Sequence, residues 1–67
     1  MDSTLILRLE ALLSEHGVPP EDRKEILQVA LLKMIYQGGA IRDPEAWMFG
    51  EVRILLAMWK GLHPENE

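Results

Sequence analysis

Apolar residues recur along this chain at spacings of three and four, which is the period of an amphipathic α-helix. The pattern predicts three helices, over about residues 3–16, 20–37 and 43–61. No stretch alternates as a half-buried strand does, and the short connections favour antiparallel neighbours. We therefore predict an all-α fold, a compact three-helix domain over residues 1–62 followed by a flexible tail at 63–67.

Residues that start and stop helices stand at the ends of these segments. Gly17 is suited to end the first helix, and the prolines at 19–20 force an extended link after it. Gly38 can end the second helix in the left-handed conformation that glycine adopts without steric cost. Asp43 can cap the third helix, with a proline in its first turn, and Gly61 is expected to end it.

The third helix carries apolar residues on two faces rather than one. The stripe that suits the core consists of Met48, Val52, Leu55, Leu56 and Trp59. A second, offset stripe consists of Trp47, Ile54 and Met58. Because a helix of a small domain buries one such face against its neighbours, the second stripe is expected to contact a partner.

Length, composition and charge narrow the class of protein. The chain has 67 residues, 48% of them hydrophobic, so it forms one small domain rather than a disordered segment. It has no cysteine, which excludes disulfides and thiolate metal sites. The formal charge of −4 is opposite to the basic excess of proteins that bind nucleic acid by themselves. No signal peptide and no apolar run of ~20 residues is present, so we predict a cytoplasmic protein.

Residues that carry catalysis or bind metals are sparse. The two histidines are His16, at the end of the first helix, and His63, in the tail, and no HExxH spacing joins them into a metal site. We expect a helix-end or partly buried role for His16 and a solvated His63. Neither Ser3 nor Ser14 has the context of a catalytic nucleophile. We predict no enzymatic activity, no metal and no cofactor.

Residues 21–35 and 43–60 together resemble a known family. The first segment reads EDRKEILQVALLKMI and is similar to the pattern E-D-A-E-D-L-V-Q-E-V-F-L-R-L-W. The second reads DPEAWMFGEVRILLAMWK and is similar to A-W-L-F-R-I-A-R-N-L-A-I-D-Y-L-R. In this order, both patterns are typical of region 2 of the extracytoplasmic-function-type bacterial sigma factors of RNA polymerase. The resemblance covers about residues 18–61.

The resemblance implies a helical domain whose second helix docks on a coiled coil of the RNA polymerase core enzyme. Its third helix would help to melt and read the −10 promoter element. By position, Glu25 and Gln28 match the docking helix, and Glu21 lies on the same polar strip. The residues that match the melting helix, or fall near the basic residues that close it, are Trp47, Phe49, Arg53 and Lys60.

The chain departs from the family pattern mainly in the third helix. Gly50 replaces a basic residue, Ile54 replaces an asparagine, and Lys24 in the second helix stands where an acidic residue is usual. Only Arg53 and Lys60 would offer charge to phosphate, fewer than nonspecific binding at physiological salt requires. The polymerase-docking role therefore fits this chain better than the DNA-reading role.

Two functions remain open. The first is a sigma region 2-like domain that binds RNA polymerase core or a sigma-directed partner through Glu21, Glu25 and Gln28, with weak DNA contact. The alternative is a small self-associating helical module, a homodimer whose interface contains Trp47, Ile54 and Met58. The two are compatible, since a dimer would add buried surface to a marginal core. Neither involves a membrane or a small-molecule substrate.

Overall fold

The computed structural model describes residues 3–63, which form three α-helices and no strand. Helix α1 spans Ser3–Glu15, α2 spans Pro20–Gln37 and α3 spans Pro44–Leu62. A short 3-10 turn, Gly38–Ala40, follows α2. The predicted all-α three-helix fold is confirmed. Residues 64–67 of the predicted tail lie outside the described residues.

Helix α1 ends in a Schellman motif that Gly17 makes possible. Gly17 has φ of 80°, and its N–H donates to the Ser14 carbonyl at 3.0 Å. The Val18 N–H donates to the Leu13 carbonyl at 3.1 Å, which is the second bond of the motif. Val18 and Leu13 are both buried, so the turn also closes the apolar core. The Arg23 guanidinium donates to the Val18 carbonyl at 2.8 Å and fastens the link to α2.

Helices α2 and α3 begin and end close to where the sequence predicts. Pro20 lies in the first turn of α2, and Gly38 ends the helix with φ of 55°. Asp43 caps α3, because its Oδ1 accepts from the Ala46 N–H at 3.2 Å. The C-terminus of α3 lies beyond the predicted stop at Gly61, since the helix continues to Leu62.

The core lies between one face of each helix. The three leucines on the inner face of α1, at positions 5, 9 and 13, are at most 1% exposed. The first stripe of α3 is confirmed as core, although Leu55 is only half-buried. The remaining core residues are Val18 from the link, Ile26, Leu27 and Ala30 from α2, and Met48, Val52, Leu56 and Trp59 from α3.

Polar contacts fix the direction of α3 against α2. Trp59 Nε1 donates to Asp22 Oδ2 at 2.8 Å, near the start of α2 and the end of α3. Lys33 Nζ lies 2.7 Å from Glu51 Oε2, nearer the other ends of the two helices. Lys33, in the second half of α2, therefore pairs with Glu51, in the first half of α3. Asp22, at the start of α2, contacts the end of α3 instead. This order of pairing makes the two helices antiparallel, as the short connection predicts.

Besides the shared core, Arg8 of α1 contacts two residues near the start of α3. The Arg8 guanidinium lies 3.7 Å from a Glu45 carboxylate oxygen and 5.1 Å from the centre of the Phe49 ring. The ion pair is exposed and contributes little, whereas the cation–π contact also shields one side of Phe49.

Across residues 3–63, none of the helices has both the length and the apolar character that crossing a bilayer requires.

Candidate functional site

The three residues predicted to bind polymerase form one exposed line on α2, which we call the α2 ridge. It consists of Glu21, Glu25 and Gln28, spaced by four and three residues so that all point away from the core. Within residues 3–63, no hydrogen bond or ion pair involves their side chains. The ridge therefore presents two carboxylates and an amide with no competing partner in the described structure.

The same face of α2 becomes apolar toward its C-terminus. Leu32, Ile35 and Tyr36 are all exposed there, and Tyr36 is 89% exposed. Tyr36 follows Glu25 by three helical turns and so points in the same outward direction. The exposed face of α2 is thus acidic and polar in its first half and apolar in its second.

A groove lies on each side of the α2 ridge. The groove between α1 and α2 has a volume of about 470 Å³ and an apolar floor of Ile6, Leu27 and Leu31. Gln28 of the ridge and Lys24 form part of its rim. Because both grooves adjoin the ridge, a rod-shaped partner laid along α2 could place side chains on either side of it.

The second groove, between α2 and α3, has a volume of about 270 Å³ and an acidic edge. Asp22 and Glu25 line the α2 side, and Leu55, Met58 and Leu62 line the α3 side. An apolar groove beside two carboxylates suits a partner side chain that is apolar along its stem and cationic at its tip.

His63 occupies the end of this groove and corrects the expectation that it is solvated. Its ring is half-buried and stacks on Trp59, with ring centres 4.6 Å apart. Its backbone N–H donates to the carbonyls of Trp59 and Lys60, so His63 caps α3 rather than beginning a tail. His16, by contrast, is exposed at the end of α1.

The four residues predicted to contact DNA do not form one surface. Phe49, Arg53 and Lys60 lie along one side of α3, where Phe49 and Lys60 are half-buried and Arg53 is exposed. Trp47 is two residues from Phe49 and therefore about 160° away around the helix. Trp47 instead shares a side of α3 with Ile54 and Met58.

The side of α3 opposite the core has no charged residue, and we call it the outer face. Ile54 and Met58 on it are 57% and 60% exposed, whereas Trp47 at its edge is half-buried and packs partly against the core. The other members are alanines and glycines. By helical position, the outer face consists of Ala46, Trp47, Gly50, Ile54, Ala57, Met58 and Gly61. Arg53 and Glu51 mark its two edges.

Three contacts near these surfaces were not anticipated from the sequence. They are the Trp59–Asp22 hydrogen bond, the stacking of His63 on Trp59, and the placement of Arg8 over Phe49. The first and third join residues that are distant in sequence, which periodicity cannot pair. The spacing of four between Trp59 and His63 was a usable signal, because residues four apart on a helix are neighbours.

The described residues contain no candidate metal site, and comparison with known proteins assigns the chain to no family. Within residues 3–63, no three His, Asp or Glu side chains lie together as a metal ion would require. Comparison with protein-family models, with curated proteins and with solved structures gave no match to this chain. The α2 ridge holds the residues predicted to bind polymerase, and the outer face of α3 holds those predicted to form a dimer interface.

Proposed function

We propose that this chain is a sigma region 2-like domain that acts in transcription by binding RNA polymerase core, or a sigma-directed partner, through the α2 ridge. The observation that carries the proposal is the free exposure of Glu21, Glu25 and Gln28 along one line of α2. Two of these residues match the docking helix of the resembled family. A polymerase-binding role requires a cytoplasmic location.

The chemistry of the ridge supports a basic, rod-shaped partner. Glu21 lies in the first turn of α2, where a negative charge is favourable beside the helix N-terminus. Two carboxylates in one line attract a partner surface rich in arginine or lysine and accelerate its approach. The apolar grooves beside the ridge supply places for the partner's uncharged side chains. A coiled coil with basic residues at its surface has this combination.

Binding of DNA by this chain alone is proposed to be weak. Its candidate basic contacts are Arg53 and Lys60, and Lys60 is half-buried. The aromatic partners Trp47 and Phe49 lie on different sides of α3, so they do not form a joint stacking surface. Two cations give too few phosphate contacts to overcome a net charge of −4 at physiological salt.

The proposal is tested by retention of the purified chain on immobilised RNA polymerase core. We expect the wild type to be retained and the double variant Glu25→Ala/Gln28→Ala to bind at least about tenfold more weakly, as for interface residues of above-average importance. The reason is that both substitutions remove polar groups from the centre of the ridge.

A matched control removes the same two residue types elsewhere. Glu15→Ala/Gln37→Ala deletes an exposed glutamate and an exposed glutamine that lie outside the ridge. This variant has the same charge as the test variant and should be retained like the wild type. Failure of the wild type to bind, or equal loss in both double variants, would reject the docking role of the ridge.

A further inference from the structure

We infer that the outer face of α3 binds the outer face of a second copy of this chain, with the two α3 helices antiparallel. The outer face shares no residue with the α2 ridge. The pairing is therefore an interaction beyond the proposed polymerase docking and does not depend on it. It gives a geometry to the self-association that the second apolar stripe predicts.

The first argument is the absence of charge on a surface that faces away from the core. A surface helix normally directs polar and charged side chains outward. The outer face contains no charged or polar side chain, and two of its apolar side chains, Ile54 and Met58, are more than half exposed. Apolar surface of this kind, continuous along a helix, marks a site of contact with another molecule.

The second argument is that the outer face is complementary to itself. Its large residues are Trp47, Ile54 and Met58, and three of its small residues are Ala46, Gly50 and Ala57. An antiparallel copy related by a two-fold axis level with Val52 places residue 47 opposite 57, 54 opposite 50, and 58 opposite 46. Every large side chain then faces a small one. An isologous two-fold interface requires this self-complementarity, which a partner of unrelated sequence would not impose.

The glycine on the outer face is consistent with close approach of a second helix. Glycine inside a helix is less favourable than alanine, so its presence calls for a packing reason. Within the described structure, no atom from a neighbouring part of the chain lies within 4 Å of a Cβ placed on Gly50. Packing within one chain therefore does not require glycine at position 50. Packing against Ile54 of a second copy would require it, because a side chain at position 50 would occupy the same space.

Charges at the edges give the dimer a distinctive dependence on salt. Under this two-fold axis like edges meet, so Arg53 approaches its own counterpart near the centre of the interface. Glu51 on the other edge is paired with Lys33 within its own chain. Salt screens the repulsion between the two arginines, so it should strengthen the dimer. Docking of the acidic α2 ridge on a basic partner should instead weaken with salt.

The size of the outer face sets the expected strength. Helix α3 has 19 residues and a length of about 28 Å. One face of such a helix supplies less than the roughly 800 Å² per partner of a standard interface. We therefore expect a weak dimer with a dissociation constant of about 100 µM, formed without covering either α2 ridge.

Sedimentation velocity from about 10 µM to about 1 mM tests the pairing, a range that brackets the expected dissociation constant. The average mass of the wild type should rise from close to that of a monomer toward that of a dimer across this range, and Ile54→Glu should remain a monomer. The control Leu32→Glu changes a similarly exposed apolar residue on α2 and should dimerise like the wild type. A wild type that stays monomeric, or equal effects of both substitutions, overturns the inference.

A second variant separates loss of the dimer from loss of the fold. Gly50→Leu adds a side chain to open space and replaces glycine with a better helix former. It should keep its helical circular dichroism and lose dimerisation, because the leucine prevents the close approach of Ile54. A Gly50→Leu variant that dimerises as well as the wild type contradicts the pairing. Retention of monomeric Ile54→Glu on polymerase core distinguishes this interface from the docking role of the ridge.

Cysteine cross-linking tests the antiparallel direction, since the chain has no native cysteine. Gly50→Cys and Ile54→Cys should form disulfides mainly when the two variants are mixed, because residues 50 and 54 face each other across copies. A parallel dimer would instead cross-link each variant with itself. That pattern would reject the antiparallel pairing.

Discussion

Trp59 is the residue on which the end of α3 depends. Its indole is buried in the core, its Nε1 donates to Asp22 at 2.8 Å, and its ring stacks on His63. One side chain thus joins the start of α2 to the end of α3. The N–H of a buried tryptophan usually has a hydrogen-bond acceptor, and Asp22 provides one here.

Replacing Trp59 by phenylalanine should show the contribution of this hydrogen bond. Trp59→Phe retains an aromatic ring but removes the donor, and a half-buried bond to a carboxylate contributes about 1–2 kcal/mol. We expect a melting temperature lower by roughly 4–8 °C for each kcal/mol lost in a domain of this size, measured by circular dichroism. Asp22→Asn keeps an acceptor oxygen and should lose less. Unchanged melting of Trp59→Phe would show that the bond is not stabilising.

At the residue scale, the sequence predicts which side chains are buried better than it predicts their partners. Trp59 is a core residue as expected from its spacing. Its bond to Asp22 spans 37 positions, and the acidic residue was already accounted for by its place in the first turn of α2. The sequence pattern explains Asp22 as a first-turn acidic residue and gives no sign that it also accepts a hydrogen bond from Trp59.

Two glycines with open surroundings should respond in opposite directions to alanine. No atom from a neighbouring part of the chain lies within 4 Å of a Cβ on Gly50 or Gly38, but only Gly38 has a positive φ, of 55°. Gly50→Ala should therefore raise the free energy of unfolding by up to about 1 kcal/mol through helix propensity. Gly38→Ala should lower it by about 1 kcal/mol or more, because an L side chain is strained there.

The measurement is urea denaturation at a concentration where the chain is monomeric. Dilution matters because Gly50 lies in the inferred dimer interface. If both alanine variants shifted the midpoint in the same direction, backbone conformation would not be what distinguishes these two positions.

At the element scale, helix ends were predictable where a cap is built from adjacent residues. Gly17 with Val18, and Asp43 with Ala46, act within a few positions of one another. The sequence places the end of α3 too early, because glycine favours a helix stop at Gly61 whereas the helix continues to Leu62. Among the described residues only Gly17 and Gly38 have positive φ, so Gly61 continues the helix and His63 terminates it.

At the scale of the whole molecule, the charge balance should limit contact with nucleic acid. We expect little binding of a fluorescent single-stranded promoter probe above ~100 mM salt, measured by anisotropy. The acidic total of −4 and the separation of Trp47 from Phe49, Arg53 and Lys60 are the physical reasons. A short basic peptide of known affinity for the probe serves as a positive control. Tight binding by this chain at that salt would contradict the prediction.

The molecular surfaces were predictable in part. The spacing of the second apolar stripe correctly indicated that α3 has apolar surface outside the core, since Ile54 and Met58 are exposed, but Trp47 of that stripe packs partly against the core. The two grooves beside the α2 ridge were not foreseeable, because their shape depends on how the three helices pack. Docking of polymerase at the ridge rests on the resemblance and on free exposure, and it stays a prediction.

A hydrogen bond of the His63 ring determines which of its two nitrogens carries the hydrogen in the neutral form. The Nδ1 atom of His63 lies 2.9 Å from the Trp59 carbonyl oxygen, and a carbonyl oxygen can only accept. Neutral His63 is therefore the tautomer that carries its hydrogen on Nδ1, and its basic lone pair belongs to Nε2. Asp22 and Glu25 line the same groove. Within residues 3–63, Nε2 of this tautomer is thus a hydrogen-bond acceptor without a protein donor at the end of α3.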